Sequence, residues 1–423
     1  MSGPSGSPAG ARLLLVVPSA TSFVTFLREV AEEWRNRGGM VAVATGPDLT
    51  DHVAQPGRGA WPAGVERLSL PVFRGGAPVS LARAAGRLAA VIGTWRPDVV
   101  HAHFAAAVCA AALARAFCRA RAPVWVGTFH GLHGVGGSGT RRGWAAAVER
   151  WSAGRMTQVC LLNADDGTAL RRLVGVPIHV PRSCGVGCDL EHFDGMRFTA
   201  AERERLRRDA GIDPGAFVVV FVGRQAAFKG FPLVVRAHRL LAEAGVGHVL
   251  VTVGVPDRLH DPGLSPVERR SLDADSHVIR AGWQWDVAPW LAIADACVLP
   301  SAREGMPVSL MESLAMGVPV VTSDSRGCRD VVRHEVDGLV LPAPTPETLA
   351  AAVRRLVGDR HLLDSMRAAA RAGRGRFDRR WFVVDQMDLY TRLLHGCVAA
   401  ADGGATSAAA VPISPGVRAE RGS

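Results

Sequence analysis

The sequence predicts an α/β protein built from two doubly wound domains, and three observations support this prediction. The chain has 423 residues, which is too long for a single hydrophobic core. Hydrophobic residues make up 48% of it and charged residues 21%, a composition typical of folded globular proteins. Short apolar runs alternate with helical stretches in both halves, as expected when helices cover the faces of a parallel sheet.

The predicted elements follow this alternation along the chain. In the first half, we predict strands at 12–17, 41–44, 99–102, 123–128 and 158–162, a helix at 23–37, and a further strand-like segment at 178–181. The Ala-rich stretch 105–118 is interrupted by Arg115, which favours a packed helix over a membrane span. In the second half, we predict strands at 217–222, 249–254, 278–281, 296–299, 318–322 and 338–341, then a closing helix at 377–394 with an apolar stripe.

The composition along the chain predicts its division into domains. Both ends are rich in Gly, Ser, Pro and Ala, which favours disorder. Near 188–201 a strand-like segment gives way to a loop and then to a charged helix, which indicates a domain boundary. We therefore predict a disordered tail at 1–10, an N-terminal domain at 11–195, a C-terminal domain at 196–378, a helix crossing back at 379–398, and a disordered tail at 399–423. Ligands of such folds bind beyond the carboxyl ends of the strands, so we expect a cleft between the domains.

Apolar segments and cysteine spacing indicate the cellular compartment of the protein. No segment reaches the ~18 to 20 apolar residues of a membrane-spanning helix, and the run 13–17 is too short for a secretory leader. The eight cysteines are scattered, with no CxxC pair and no zinc-like spacing beyond Cys184 and Cys188. Cys160 and Cys297 lie in apolar runs, where buried reduced thiols are expected. These features favour a cytoplasmic protein.

The net charge of +10 is uneven, since residues 1–195 carry 20 Arg against 13 acidic residues. No basic run is interleaved with aromatic residues, and the aromatic fraction is only 6%, which disfavours nucleic acid as a partner. The surplus instead favours an anionic membrane surface or an anionic substrate.

Lys229 is the only lysine in a chain with 49 Lys and Arg residues. It follows an apolar run, in the segment 222–230 (VGRQAAFKG). An ammonium is a compact point charge, which suits a phosphate site. The alternative is a chance surface lysine.

The segment 299–312 (LPSAREGMPVSLME) has the features of an anion site. A buried strand ends at Pro300, and Pro307 is predicted at the first helical position, where its missing N–H costs nothing. The backbone N–H groups at 308–310 would then lie unpaired at the positive end of the helix dipole. Glu304 precedes the helix and Glu312 lies inside it, where carboxylates can bind ligand hydroxyls. The alternative is that both are ordinary surface acids.

Together these segments resemble the retaining GT-B glycosyltransferases of family 4. Glu304 and Glu312 match the Glu, seven residues, Glu signature of that family, and Gly223-Arg224 with Lys229-Gly230 match its Gly-Arg, four residues, Lys-Gly turn. Further family-like phrases lie at 97–103, 128–131, 162–166, 185–189 and 324–331, and the resemblance covers about residues 12–395. It implies the GT-B fold, with two Rossmann-like domains facing across a cleft. The N-terminal domain at 11–195 would then bind the acceptor, and the C-terminal domain at 196–378 would bind the nucleotide sugar.

The resemblance also implies roles for residues. Arg224 and Lys229 would bind the donor diphosphate, Glu312 the ribose hydroxyls, and Glu304 would lie by the donor sugar. His130 would face the reacting sugar from the N-terminal domain. The remaining residues expected at the donor are Gly305, Met306, Pro307, Val308 and Ser309.

Other candidates are less specific. His130 could instead be a core histidine, although Gly131 after it would permit close approach to a ligand. His101 and His103 lie on one face of a predicted strand, and a metal role for them is the weaker alternative. The acceptor-side or supporting candidates are Ser19, Ser22, His103 and Asn163.

The sequence departs from the family pattern in two loops. Many family members have a Gly-Gly loop after the first strand, whereas this chain has 18–22 (PSATS), which could shape the acceptor site instead. The turn at 254–257 (GVPD) also differs from the usual Gly-rich one. Asp273-Ala274-Asp275 spells the DxD of metal-dependent transferases, but it lies in a polar stretch before a strand, so we predict no catalytic metal and no cofactor.

We therefore predict a retaining glycosyltransferase that moves a sugar from a nucleotide diphosphate donor, UDP-linked, to a hydroxyl acceptor. Retention implies front-face attack without a protein nucleophile, unlike hydrolases with two opposed carboxylates. The positive N-terminal half favours a lipid-linked saccharide at the inner face of the cell membrane as acceptor, in polysaccharide or glycoconjugate assembly. The alternatives are a small soluble acceptor in secondary metabolism, a GT-B sugar-nucleotide epimerase, or a non-catalytic basic binding protein.

Overall fold

The computed structural model describes residues 9–47, 60–71, 78–118, 123–134, 140–256 and 263–401. They form two parallel sheets with helices, which confirms the predicted fold class. Of the predicted tails, residues 1–8 and 402–423 lie outside the described residues. Gly10 is ordered beside the first strand, where its N–H donates to the Gly38 carbonyl at 3.0 Å, and the last helix runs past 398 to Ala401.

The N-terminal sheet has seven parallel strands in the order β3-β2-β1-β4-β5-β6-β7. Side chains alternate between its faces, so that Leu14 and Val16 join one hydrophobic core while Leu13 and Leu15 join another. The elements are β1 (Arg12–Val17), α1 (Ala20–Phe26), α2 (Arg28–Asn36), β2 (Met40–Thr45), β3 (Glu66–Ser69), α3 (Pro78–Trp95), β4 (Val99–His103), α4 (Ala105–Phe117), β5 (Val124–Phe129), α5 (Thr140–Ala153), β6 (Gln158–Leu161), α6 (Ala164–Arg171) and β7 (Ile178–His179).

Two elements of this domain differ from the prediction. The single helix predicted at 23–37 is two helices, because the backbone leaves the helical region at Leu27 (φ −131°, ψ 0°). Strand β3 was not predicted, since its sequence ERLS lacks an apolar run. It forms the edge of the sheet, where side chains are largely exposed and need not be apolar.

The C-terminal sheet has six parallel strands in the order β10-β9-β8-β11-β12-β13, around one large core. Its elements are α7 (Ala200–Asp209), β8 (Phe217–Val222), α8 (Phe231–Glu243), β9 (His248–Val253), α9 (Pro266–Ala274), β10 (Val278–Gly282), α10 (Ala288–Ala292), β11 (Ala296–Leu299), α11 (Val308–Ala315), β12 (Val320–Ser323), α12 (Cys328–Val331), β13 (Gly338–Leu341), α13 (Pro346–Gly358) and α14 (Arg360–Ala372). The strand order reverses between β8 and β11, and crevices at such reversals are where ligands of doubly wound sheets bind.

The last helix, α15 (Arg379–Ala401), packs on the N-terminal domain. Phe382 and Tyr390 are buried in the same core as Leu13 and Leu15, where each large apolar side chain contributes about 1.5–3 kcal/mol. At the start of the helix Arg379 pairs with Glu29 at 2.7 Å. The helix therefore ties the two domains together.

Two predictions from composition can be compared with the structure. In the part of the chain that is described, no helix is both long and apolar enough to cross a membrane. The cysteines described there are unpaired, and Cys160 and Cys297 are buried, as predicted.

Candidate active site

The loops that follow β8 and β11 pack directly on each other. The chain after β8 turns at Gly230 with φ +73°. A Cβ there would lie 2.3 Å from the Pro300 carbonyl oxygen, so glycine is needed for this close approach. The Phe228 carbonyl accepts a hydrogen bond from Ser301 Oγ at 3.0 Å. These contacts place both predicted donor-binding loops at the strand-order reversal.

Lys229 and Glu304 form an ion pair between these loops. Lys229 Nζ lies 2.5 Å from Glu304 Oε1, and the two side chains are 17% and 11% exposed. The two predicted residues are therefore brought together. An anion that binds Lys229 here would share its ammonium with the Glu304 carboxylate, which reduces the positive charge available.

Three cations surround the ring of Phe228. The guanidinium carbons of Arg224 and Arg303 each lie 5.2 Å from the ring centroid, and Lys229 Nζ lies 5.8 Å from it. Such contacts contribute about 0.5–2 kcal/mol each. Phe228 therefore holds together a cluster of positive charge, although neither Phe228 nor Arg303 was predicted to take part.

Helix α11 begins one residue later than predicted. Pro307 is its N-cap, with ψ 111° in the extended region, rather than its first helical residue. The first helical hydrogen bond runs from the Leu310 N–H to the Pro307 carbonyl at 3.2 Å. The predicted set of free donors at 308–310 was therefore too large, because only the N–H groups of Val308 and Ser309 lie before the helical ladder.

Glu312 and Met306 have different surroundings from Glu304. Glu312 is half-buried on α11, where its charge adds to the effect of burial in raising the pKa of the Cys297 thiol to about 12. Met306 packs against Gly185 and contacts both the C-terminal core and one N-terminal core. Glu304 thus lies at the Lys229 ion pair, whereas Glu312 lies on α11 close to Cys297.

Gly131 and Gly305 allow the two domains to touch beside His130, and Gly327 packs on Gly305 within the C-terminal domain. A Cβ at Gly305 would lie 2.3 Å from the His130 carbonyl oxygen, and one at Gly327 would lie 2.5 Å from the Gly305 carbonyl oxygen. Gly131 has φ +110°, which a side chain would disfavour. The backbone of His130 therefore lies directly against the loop that carries Glu304.

His130 is half-buried between aromatic rings. Its imidazole stacks on Phe104, with centroids 3.8 Å apart and an interplanar angle of 13°. His130 Nε2 lies 3.3 Å from His103 Nδ1. Burial lowers the pKa of His130 to about 3, so the ring is neutral at physiological pH. Such a weakly basic group suits hydrogen bonding to a ligand better than general-base catalysis.

Polar contacts join the domains next to this point. Asn163 Nδ2 donates to the Gly305 carbonyl at 2.9 Å. The Asp166 carboxylate, of which 1% is exposed, pairs with Arg326 of the C-terminal domain and accepts the Leu132 N–H at 3.1 Å. Asp166 and Arg326 were not predicted as site residues, although both lie in the family-like phrases at 162–166 and 324–331.

The acceptor-side serines have a structural role. Ser19 Oγ accepts the Ser22 N–H at 3.2 Å and caps α1, and the two hydroxyls lie 2.9 Å apart. These contacts account for the burial of Ser19. A role in acceptor binding stays a prediction.

The DxD sequence lies away from this site. Asp273 pairs with Arg280, and Asp275 pairs with His238 at 3.1 Å. Both aspartates precede β10, at the amino edge of the sheet, whereas the candidate site lies at the carboxyl edge. Within the described ranges, no three His, Cys, Asp or Glu side chains are grouped as a metal ion requires.

Known families match both domains. The family model described as "Glycosyl transferase 4-like domain" matches residues 23–182, and that described as "Glycosyl transferases group 1" matches residues 216–359. The chain therefore belongs to the GT-B glycosyltransferases, as the resemblance implied, whereas retention of configuration stays a prediction. The chain is therefore a glycosyltransferase, not the sugar-nucleotide epimerase or the non-catalytic binding protein that the sequence left as alternatives.

Two glycosyltransferases are similar in sequence over more than half of this chain. The "Putative glycosyltransferase EpsD" of Bacillus subtilis is 25% identical over 342 residues, which cover 80% of this chain and 88% of that protein. The "UDP-Gal:alpha-D-GlcNAc-diphosphoundecaprenol alpha-1,3-galactosyltransferase" of Escherichia coli is 26% identical over 240 residues, covering 55% of this chain and 60% of that protein.

Solved structures show the same fold. Sucrose-phosphate synthase from Thermosynechococcus elongatus has a TM-score of 0.74 at 18% identity, covering 91% of this chain and 100% of that chain. Anabaena HepE in complex with UDP-glucose has a TM-score of 0.67 at 18% identity, covering 92% of this chain and 99% of that chain.

Proposed function

We propose that this glycosyltransferase moves a sugar, with retention of configuration, from a UDP-linked donor to a hydroxyl of a lipid-linked saccharide in polysaccharide or glycoconjugate assembly. The observation that carries the proposal is the cluster of Arg224, Lys229 and the start of α11 at the reversal between β8 and β11. Fixed cations and helix N–H groups stabilise the negative charge that develops on a departing diphosphate. The HepE structure with UDP-glucose supports the choice of UDP.

Hydrolysis of the donor without acceptor tests this site. We expect Lys229→Ala and Glu312→Ala to lower donor turnover by at least about tenfold, since each removes a charge-assisted contact. Arg236→Ala is the matched control, because Arg236 is an exposed cation paired with Glu268 outside the cleft. Unchanged turnover in both site variants would remove the assignment. A thermal-shift screen of nucleotide sugars identifies the donor, since a bound ligand raises stability.

The proposed reaction needs no protein nucleophile and no metal. The acceptor hydroxyl attacks the anomeric carbon on the face from which the diphosphate leaves, and the departing phosphate oxygen takes the hydroxyl proton. Burial lowers the pKa of His130 to about 3, which makes its imidazole a weak base, so it serves as a hydrogen-bonding partner of the sugar rather than as the base. We expect turnover to be unchanged by EDTA, and a loss that Mg²⁺ restores would contradict the proposal.

An exposed surface of the N-terminal domain supports an acceptor at a membrane. Trp144 is 70% exposed and Phe117 is 66% exposed. Trp151, which is 38% exposed, follows Trp144 by about two turns on the same face of α5. Exposed arginines accompany them, including Arg150 and Arg155. We name this surface, formed by Arg115, Phe117, Trp144, Arg150, Trp151 and Arg155, the aromatic–arginine patch.

The charge of the patch fits an anionic lipid surface. The acid of α5, Glu149, is 4% exposed and binds backbone N–H groups inside the domain. Trp side chains favour the headgroup region, and arginines are attracted to anionic lipids. The relative from Escherichia coli, whose name specifies a diphosphoundecaprenol acceptor, supports the same substrate class.

Sedimentation with vesicles of phosphatidylglycerol tests the membrane part of the proposal. We expect binding at low salt that weakens at high salt, and we expect the Trp144→Ser/Trp151→Ser variant to lose it. Trp381→Ser is the matched control, because Trp381 is 61% exposed on α15, outside the patch. An absence of binding at low salt would favour a soluble acceptor instead.

A further inference from the structure

Behind His130 lies a row of buried side chains from β4 and α15. His103 Nδ1 lies 3.3 Å from His130 Nε2. The ring centroids of His101 and His103 are 3.9 Å apart. His101 Nδ1 in turn lies 2.6 Å from the hydroxyl of Tyr390 on α15. We call His101, His103, His130 and Tyr390 the histidine row.

Each histidine of the row carries a single ring proton at physiological pH. His101 and His103 are fully buried, and burial lowers the pKa of both, as it does for His130. A neutral imidazole has one N–H donor and one bare nitrogen acceptor. Of His103 and His130, one must therefore donate to the other.

The unpartnered nitrogen of His103 decides the direction of this hydrogen bond. His103 Nε2 is buried and has no hydrogen-bond partner in the described part of the chain. A proton on Nε2 would leave a buried N–H unsatisfied, which is costlier than leaving a lone pair. The proton of His103 is therefore on Nδ1, which donates to His130 Nε2. His130 must then carry its own proton on Nδ1.

His101 and Tyr390 hold the ring of His103 in place. Both nitrogens of His101 are engaged, with Tyr390 at 2.6 Å and with Thr128 Oγ1 at 2.7 Å, so its ring is fixed on both sides. Because His101 and His103 are two residues apart on β4, their side chains share one face and their rings are in contact.

We propose that His103 is a positioning residue that keeps His130 protonated on Nδ1, so that the Nδ1–H is the group His130 presents to the donor sugar. The proposal rests on the proposed function only for the role of His130 at the sugar. The protonation state itself follows from the hydrogen-bond geometry, and it is not expected from the sequence pattern.

The protonation state is measured directly on the wild-type full-length protein. Uniform ¹⁵N-histidine labelling distinguishes protonated from bare ring nitrogens, and His130→Gln identifies the His130 signals by their loss. We expect a protonated Nδ1 and a bare Nε2 on His130 at neutral pH. A proton on Nε2 of His130 would overturn the proposal, and this measurement does not depend on any variant of His103.

Two substitutions of His103 separate positioning from packing. His103→Asn retains an N–H donor close to the position of Nδ1, whereas His103→Leu keeps apolar volume and removes the donor. We expect kcat to fall by about tenfold in His103→Leu and by less than about threefold in His103→Asn, with the donor KM nearly unchanged, since one hydrogen bond is lost.

A packing role predicts the opposite order, because a buried Asn is smaller and polar. His103→Leu as active as His103→Asn, or more active, would therefore contradict the proposal. Melting temperatures of both variants show that the activity difference does not follow stability.

The activity of His130→Ala distinguishes failure of the proposed role of His130 in the reaction from failure of the positioning role of His103. Full activity in His130→Ala would remove His130 from the reaction while leaving its protonation state as inferred. An inactive His130→Ala together with a proton on Nε2 in the wild type would keep the function and remove the positioning role of His103.

Discussion

Gly305→Ala should separate the two domains at the candidate site. The added Cβ would lie 2.3 Å from the His130 carbonyl oxygen and 2.8 Å from the Gly131 nitrogen, both of them backbone atoms that cannot rotate away. Since non-bonded carbon contacts are comfortable at about 3.5 Å, the loop must move by about 1 Å. A displacement of that size costs about 100-fold in rate, or about 2.7 kcal/mol in the activation barrier.

The assay is kcat/KM for sugar transfer, together with the affinity for UDP by calorimetry. We expect kcat/KM to fall by about 100-fold while UDP affinity changes by less than about threefold, since the cations at Phe228 belong to one domain. Gly358→Ala is the control, because it lies at the end of α13 with open space around its Cβ position. A Gly305→Ala enzyme with wild-type kcat/KM would refute the reasoning.

Three further predictions concern charge and protonation. Asp166→Ala should cost about 3–5 kcal/mol in the free energy of unfolding measured with urea, because it removes a buried carboxylate that pairs with Arg326 and accepts the Leu132 N–H and Asn163 Nδ2. Asp165→Ala, which breaks a neighbouring exposed pair, should cost under about 1 kcal/mol. Glu304→Gln should tighten UDP binding by about fivefold in calorimetry, because it removes a carboxylate that competes with the diphosphate for Lys229. The repulsion lost between a carboxylate and a phosphate about 4 Å apart in water is about 1 kcal/mol. Burial raises the pKa of Tyr390, the only tyrosine, well above 10, and the pKa of the Cys160 and Cys297 thiols to about 12. Stability should therefore fall as the pH rises above ~8.5, where only the thiols of the unfolded chain ionise, and more steeply above ~10, where the tyrosine of the unfolded chain ionises too.

Each of these three predictions has an outcome that would contradict it. Equal losses in the free energy of unfolding for Asp166→Ala and Asp165→Ala would show that burial of the ion pair does not determine its contribution to stability. Glu347→Gln, at an exposed position of α13, controls for a general change of charge, and equal tightening in it would contradict a local effect. Tyrosinate absorbance that appears near pH 10 while the protein remains folded would contradict the burial of Tyr390.

The sequence predicted the strands well because each buried strand is an apolar run with turn residues on both sides. It missed β3, where position at the sheet edge replaces burial as the reason for the strand. It also joined α1 and α2, because the break at Leu27 contains neither Gly nor Pro. That break depends on tertiary packing, which no local pattern records.

In the site, the sequence identified the residues with distinctive chemistry and missed those whose roles come from proximity. Lys229 and Glu304 were predicted from motifs, but their direct pairing requires the packing of two loops 75 residues apart. Phe228 and Arg326 lie in segments that the sequence singled out, but their own roles appear only through the neighbours that they contact in the fold. The contact between Gly305 and His130 likewise joins two domains that the sequence treats separately.

The position of α15 has a consequence for synthesis of the chain on the ribosome. Tyr390 meets His101 across 289 residues, and Arg379 meets Glu29 across 350. One face of the first domain therefore remains uncovered while the second domain is being translated. The hydrophobic core on that face is completed only when the residues of α15 leave the exit tunnel of the ribosome. Nascent chains that stop before α15 should therefore present the uncovered face to chaperones.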